Sequence, residues 1–401
     1  MDYFPSLAMT VRLAESFRLK RKMGQKGIKS LQKLSELHRQ HKGLINLMPL
    51  QTGGMLTDAA KEALTEFGDG YSVCDFCQGS LCNVTNPPIR DFVQELLPQF
   101  LGCKVATITH GAREAKFMVM HSLAKPGDSI LVDGNRHYTT AVAAERVGLH
   151  IIEVPHSGHP EFRVDVNEYT PLIKKHAPKL ILLTHPDGNY GNLPDAGRLG
   201  EIAQEYNIPF ILNGAYAVGR MPVSMEEIGA DFIIGSGHKS MASAGPVGVL
   251  GMKKKWEEPV LRKSGTHSNK DIELLGCSVR GVPLITLMAS FSHVKERVKN
   301  WDEQVSKAQW FSAELEELGF KQLGEKPHRH DLLHFDTPVL YEISKRVRER
   351  GYFLYKELKE RGIWGPQPGM ARSFKLSTFA ADREQLGFVI DSFKSILNKY
   401  S

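Results

Sequence analysis

The chain reads as an α/β protein, with a mostly parallel seven-stranded sheet covered on both faces and a smaller α+β domain at the C-terminus. Seven short apolar runs supply the strands: Val105–Ile108, Ile130–Val132, Ile151–Val154, Leu180–Leu183, Phe210–Leu212, Phe232–Ile234 and Val247–Leu250. Apart from Thr107 and Glu153 they are continuously apolar rather than alternating, the pattern of strands buried on both faces. Helical stretches lie between several of them, such as 138–147 and 195–206. Beyond about residue 300 the composition shifts to charged helices, which marks the second domain.

Taken in order, residues 28–42 carry the helical spacing Ile28, Leu31, Leu34 and Leu37. Gly53-Gly54 and Gly68-Asp69-Gly70 mark loops on either side of a short helix over 57–67. Two helices follow between about 88 and 125, separated by the first strand. In the C-terminal part, helices are expected over 301–318, 340–362 and 381–399, with strands Leu332–Phe335 and Ser373–Leu376 between them. The expected domains are a basic arm (1–60), a large domain (61–300) and a small domain (301–401).

Composition narrows the function classes. With 401 residues, 41% hydrophobic and 24% charged, the chain has the makeup of a soluble globular protein. It has no apolar run of about 20 residues, and Met1-Asp2-Tyr3 lacks a secretory start, so a cytoplasmic protein with no membrane partner is expected. The net charge of +6 is mild, but residues 1–43 hold ten Lys or Arg against Asp2, Glu15 and Glu36. A solvated helical arm and a contact to nucleic-acid phosphates both fit that bias.

Five cysteines, an odd number without a secretory signal, argue against a disulfide framework. Cys74 and Cys77 form a C-x-x-C pair, Cys82 follows, and Cys103 and Cys277 stand apart. This arrangement points to thiol chemistry or metal binding. A structural zinc would want four ligands, and Cys277 has no second C-x-x-C beside it. Cys82 and Cys103 read as packing residues.

The sharpest local feature is Ser236-Gly237-His238-Lys239-Ser240, just after the strand Phe232–Ile234. A lysine in a small-residue loop at a strand end can curl over a flat ligand. Burial there lowers its pKa towards the range that Schiff-base chemistry needs. The neighbouring strand Phe210–Leu212 ends in Asn213-Gly214-Ala215-Tyr216. Further upstream, Thr109-His110-Gly111-Ala112-Arg113 opens a helix whose first N–H groups, at Gly111, Ala112 and Arg113, would face an anion. Ser236 and His238 are further donors. His137 opens a helix after Ile130–Val132, where a ring could stack on a cofactor, and Asn189 in Asp187-Gly188-Asn189 could bond a cofactor oxygen. The two are equally readable as a helix-start residue and a turn residue.

Together with Cys74-Asp75-Phe76-Cys77 and Gly276-Cys277-Ser278-Val279-Arg280-Gly281, these residues resemble the archaeal O-phosphoseryl-tRNA:cysteinyl-tRNA synthases. The resemblance runs from about Ile45 to the C-terminus. It implies a fold-type I pyridoxal-phosphate transferase with Lys239 holding the cofactor as a Schiff base. Ala112, Arg113, Asn213, Ser236, Gly237 and His238 would contact the cofactor, and His137 would stack on it. Cys74, Cys77 and Cys277 match three essential thiols, which would carry sulfur as a persulfide or bind an iron–sulfur cluster. The implied substrate is tRNA(Cys) charged with phosphoserine, converted to cysteinyl-tRNA(Cys) by replacing phosphate with sulfur. A homodimer and a complex with the phosphoseryl-tRNA synthetase are further expectations.

One position departs from the wider superfamily. Asn213 stands where most fold-type I enzymes place an Asp against the pyridine nitrogen, which weakens the electron sink but still suits expulsion of phosphate. Arg113, helped by Tyr138, is the expected holder of that phosphate, because a guanidinium can bond it in bidentate fashion. Arg372 occupies the region where relatives acting on free amino acids bind a carboxylate. In a tRNA ester that carboxyl carries no charge, so Arg372 is expected to face tRNA phosphates or to cap the small domain. The rival function is a cysteine desulfurase or a lyase on a free amino acid, which would need no tRNA.

Overall fold

The apolar runs assemble as their composition demands. In the computed structural model, residues 43–69, 89–268, 270–275 and 281–400 are described. Residues 1–42 of the expected basic arm, and Cys74, Cys77, Cys82 and Cys277, lie outside them. Among the described residues the strands are β1 (Ile45–Asn46), β2 (Val105–Thr109), β3 (Ser129–Asp133), β4 (His150–Val154), β5 (Leu180–Thr184), β6 (Phe210–Asn213), β7 (Phe232–Ser236), β8 (Gly248–Met252), β9 (Lys321–Leu323), β10 (Leu332–Asp336), β11 (Ile363–Trp364) and β12 (Ser373–Ser377).

Seven of these form one sheet in the order β2-β8-β7-β6-β5-β3-β4. β8 runs antiparallel to both β2 and β7, and the other pairings are parallel. Leu180, Ile181, Leu182 and Leu183 of β5 are all fully buried, so neither face of this central strand meets solvent. Burying each such side chain contributes roughly 1.5–3 kcal/mol.

The chain leaves β3 to β4 on one side and then crosses back to β5 on the other. That reversal opens a crevice beyond the strand ends, where sheets of this kind bind ligands.

A second core gathers around Phe320, Phe335, Phe374 and Phe393. It lies against the antiparallel order β12-β10-β9. β1 pairs in parallel with β11, and Ser377 N donates to Leu47 O at 2.9 Å. Residues 45–47, which fall within the expected arm, therefore pack into the C-terminal layer. No helix among the described residues is long and apolar enough to cross a membrane.

Two helices differ from expectation. The stretch 340–362 is not continuous but splits into Pro338–Arg346 and Phe353–Glu360. Val347 leaves the helical region and Arg350 takes φ +50°, while Gly351 packs so tightly on Gly369 that a Cβ there would meet its carbonyl oxygen at 2.6 Å. The helix Val282–Lys299 was not expected at all. It buries Leu284, Ile285, Thr286, Leu287, Ser290, Phe291 and Val294, too broad a face to leave a clean helical stripe in the sequence.

Candidate active site

Each parallel strand near the crevice switches from apolar to polar at its last residue. Asp133, Thr184, Asn213 and Ser236 end β3, β5, β6 and β7, and all four are buried. Thr184 donates to Asp133 Oδ2 from both its N–H and its hydroxyl, each at 2.8 Å. Beyond these ends lies a cavity of about 230 Å³ whose walls include Ala112, Arg113, His137, Asn213, Ser236 and Lys239.

Lys239 sits on the single helical turn Gly237–Ser240 that follows β7. Its Nζ lies 5.1 Å from the ring centre of Tyr216. Burial, and then the cations of Arg220 and Lys375, hold its pKa below the ordinary lysine value. The turn is clamped from behind. Arg297 donates to Gly219 O at 3.1 Å and to Gly53 O at 3.2 Å, and also bonds Ser240 O. A Cβ at Gly54 would collide with His238 O, and one at Gly53 would stand 2.6 Å from Lys239 O. Gly54→Ala is therefore expected to cost about 1–3 kcal/mol, because the lysine turn has to shift. Urea denaturation of the two proteins measures it, and an unchanged midpoint would refute the tight fit.

The helix Ala112–Leu123 starts at Gly111, whose φ of +131° only glycine adopts without strain. Its first N–H groups have no partner within the helix and open on the cavity. Glu114 braces this end. It accepts from His110 N at 2.5 Å and from Leu275 N at 3.0 Å, tying down the segment that leads to Cys277.

His137 caps the helix Tyr138–Val147, accepting from Thr139 N at 3.3 Å. Its Nδ1 is also 2.9 Å from Thr139 Oγ1, which receives a hydrogen bond from Lys116 Nζ at 2.7 Å. With that hydroxyl oxygen accepting from the lysine, its proton is free for Nδ1, so the ring carries its own proton on Nε2. Burial, then Lys239, Lys116, Lys375 and Arg113, lowers the His137 pKa to about 4, which keeps the ring neutral. Burial, with Lys239 next, brings Lys116 itself down to about 7.

Most sequence-predicted residues meet here. Ala112, Arg113, His137, Tyr138, Asn213, Ser236, His238 and Lys239 line one cavity. Arg113 Nη2 donates to Tyr138 Oη at 3.1 Å. Two expected residues lie off the wall. Gly237 sits behind it, donating to Val247 O at 2.9 Å, and a Cβ there would strike Val247 Cγ1 at 2.6 Å. Asn189 lines an adjoining cavity of about 530 Å³, which shares His137, Tyr138, Gly188 and Tyr216 with the first.

Lys116 and Thr139 also line this cavity and Lys375 the adjoining one, though their sequence context does not point to the site, and Tyr216, which ends the run Asn213–Tyr216, lines both. The available signal for Lys116 was a lone lysine before the apolar run Phe117-Met118-Val119-Met120.

The thiol trio lies outside the described residues. Among the described residues no group of three or more His, Cys, Asp or Glu could hold a metal ion. Cys103 is half-buried with its thiol pKa raised to about 11, chiefly by burial, which suits a packing residue.

The family described as O-phosphoseryl-tRNA(Sec) selenium transferase, SepSecS, matches residues 80–393. A protein of Methanosarcina acetivorans named O-phospho-L-seryl-tRNA:Cys-tRNA synthase is 55% identical over 377 residues, covering 92% of this chain and 98% of that one. Among solved structures, a SepCysS in complex with the N-terminal domain of SepCysE superposes with a TM-score of 0.86 at 46% identity, covering 91% of this chain and 97% of that one. A cysteine desulfurase of Thermococcus onnurineus superposes with a TM-score of 0.73 at 17% identity, covering 89% and 95%, a likeness of fold alone.

Proposed function

The chain belongs to the family of O-phospho-L-seryl-tRNA:Cys-tRNA synthases, and on that premise we propose that it converts O-phosphoseryl-tRNA(Cys) to cysteinyl-tRNA(Cys) by exchanging the β-phosphate for sulfur. Its fold is that of the fold-type I pyridoxal-phosphate enzymes. The observation that carries the reading is the convergence of a pKa-lowered Lys239, the open helix start at Ala112–Arg113 and a buried Asn213 on one cavity. Asn213 is 1% exposed and its Oδ1 has no hydrogen-bond partner. A buried amide oxygen left unpaired is costly, and a ring nitrogen that carries a proton and donates to it would remove that cost.

The residues present thus fit pyridoxal phosphate, which when bound supplies an electron sink at the substrate α-carbon. Lys239 would hold it covalently through Nζ, with the neutral His137 ring stacked on it. The helix start at Ala112–Arg113, Ser236 and His238 would hold its phosphate. During turnover the free Lys239 amine takes the α-proton and later returns it. Arg113 and Tyr138, already bonded to each other at the cavity mouth, receive the departing phosphate.

For the sulfur step we propose Cys74, Cys77 and Cys277. A persulfide on one of them attacks the β-carbon with its outer sulfur. A second thiolate then attacks the inner sulfur, releasing cysteine's thiolate and leaving a disulfide, which sulfide opens to give the persulfide again and one free thiolate. The other version is an iron–sulfur cluster on the same three residues. Iron and sulfide analysis after anaerobic purification separates the two, and stoichiometric iron would overturn the persulfide.

The assay for the whole reading is cysteinyl-tRNA formation from phosphoseryl-tRNA and sulfide. The desulfurase reading predicts alanine from free cysteine. It is disfavoured by Arg372, which lines a cleft other than the catalytic cavity. A second copy is the proposed partner, since Tyr138, Val142 and Leu275 expose large apolar surface beside the site. Light scattering should give twice the chain mass.

Lys375→Met removes a cation that depresses Lys239. The free amine should then appear at higher pH, so the midpoint for borohydride trapping of pyridoxal phosphate on Lys239 should move up. A midpoint that stays or falls would show that Lys375 does not act on this amine.

A further inference from the structure

An aminoacyl ester fixes where the rest of its tRNA must go. The reacting β-carbon lies only a few bonds from the terminal ribose, so the last nucleoside has to rest against the catalytic cavity. The adjoining cavity of about 530 Å³ is in that position, since it shares the wall of His137, Tyr138, Gly188 and Tyr216. Its volume lies within the usual range for small-molecule sites. Met48, Pro49, Met370 and Phe374 give it an apolar lining, and Gln367 offers an amide that can both donate to and accept from a base edge. Met370 is 45% exposed, so its side chain is open to contact with a ligand.

The segment Gly365–Arg372 walls this cavity and also a second cleft. Met370 faces the first, while Gly369, Ala371 and Arg372 face the second, of about 410 Å³. Lys345 and Arg350 line the second cleft too, and no carboxylate does. The Tyr341 ring lies 4.5 Å from the Lys345 ammonium and 5.4 Å from the Arg372 guanidinium. The two nearby acids are engaged, Glu342 with Lys345 at 2.6 Å and Glu349 with Lys356 at 3.6 Å. Among the described residues, Arg350 and Arg372 enter no ion pair. Exposed guanidiniums gathered in a concave site focus a positive potential that suits phosphate.

Resting on the function proposed above, we infer that the two cavities form one track for the 3′ end of the substrate tRNA. The terminal nucleoside sits between Met48, Gln367 and Met370, and Lys345, Arg350 and Arg372 hold the backbone phosphates that precede it.

The test titrates uncharged tRNA(Cys) into the full-length holoenzyme at several salt concentrations. Changing both Arg350 and Arg372 to Gln should weaken binding about tenfold and reduce the salt slope by about 1.4, the value for two single-strand phosphate contacts. Both residues are exposed, so an unchanged melting temperature should accompany the loss. The pair Gln367→Ala and Met370→Ala should weaken binding of intact tRNA but not of a tRNA lacking its 3′ nucleoside.

Wild-type protein that forms cysteinyl-tRNA, with arginine variants that bind tRNA equally well, would overturn the track and leave the function standing. The track falls equally if inorganic phosphate binds the cleft tightly while the tRNA ignores the substitutions. Wild-type protein that binds tRNA through these residues but makes no cysteinyl-tRNA would overturn the function and leave the track.

Discussion

Lys239→Ala is expected to lower cysteinyl-tRNA formation by about 10²–10⁴-fold or more, the size of a lost general base, and to leave the protein uncoloured with pyridoxal phosphate. The reason lies in how amines are distributed around the cavity. Lys116 is the other lysine on its wall, but that residue is 1% exposed and already bonded to Thr139 at 2.7 Å and Thr140 at 3.3 Å. It cannot leave those hydroxyls without stranding them. Lys375 donates to Gly188 O at 3.1 Å and lines only the adjoining cavity. Of these three lysines, Lys239 is the one that faces an aromatic ring, and no hydroxyl or carboxylate partner holds it among the described residues. Lys239→Arg restores the charge but not a nucleophilic amine, so it should fail as completely as alanine. If the alanine variant kept more than about a tenth of the activity, the assignment of Lys239 as the catalytic amine would be wrong.

The sequence revealed the strands because burial on both faces leaves a mark that needs no partner to interpret. Leu180–Leu183 is apolar at every position and fully buried at every position. It also revealed the residues at the strand ends, because a lone Asn213 or Ser236 after such a run stands out. Contacts between distant segments left no comparable mark. Gly53-Gly54 reads as a loop, yet both glycines press on the backbone of the lysine turn almost two hundred residues away. The Lys116–Thr139–His137 chain joins two helices whose spacing says nothing about their approach. The helix Val282–Lys299 escaped for the opposite reason, being buried too widely to show a stripe. Asn189 was legible as a strand-end residue, but nothing near it in the sequence signals Lys375, whose Nζ lies 3.5 Å from Asn189 Oδ1.

The buried pair Arg220–Asp331 should give the largest loss of stability. Both side chains are 0% exposed and their Nη1 and Oδ2 lie 2.8 Å apart. Arg220 also donates to Thr52 Oγ1 at 3.0 Å, and Ser377 Oγ donates to Asp331 at 2.5 Å. Burial pushes the Asp331 carboxyl up, but Arg220, His330 and Ser377 outweigh it and hold its pKa below the ordinary carboxylate value. Its contribution to stability is therefore complete above the ordinary carboxylate pKa and is lost as the pH falls below it.

Arg220→Leu alone strands a buried carboxylate and should cost about 3–5 kcal/mol, whereas Arg220→Leu with Asp331→Leu should recover most of that. If stability were all the pair supplied, the double variant would match the wild type in every respect. Arg220, however, is the first charged group after burial in lowering the Lys239 pKa. The double variant should then be nearly as stable as the wild type yet trap pyridoxal phosphate on Lys239 only at higher pH. A restored fold with an unmoved trapping midpoint would reduce the pair to a structural tie. A restored fold with a raised midpoint would explain why a costly buried ion pair, rather than two leucines, stands beneath this lysine.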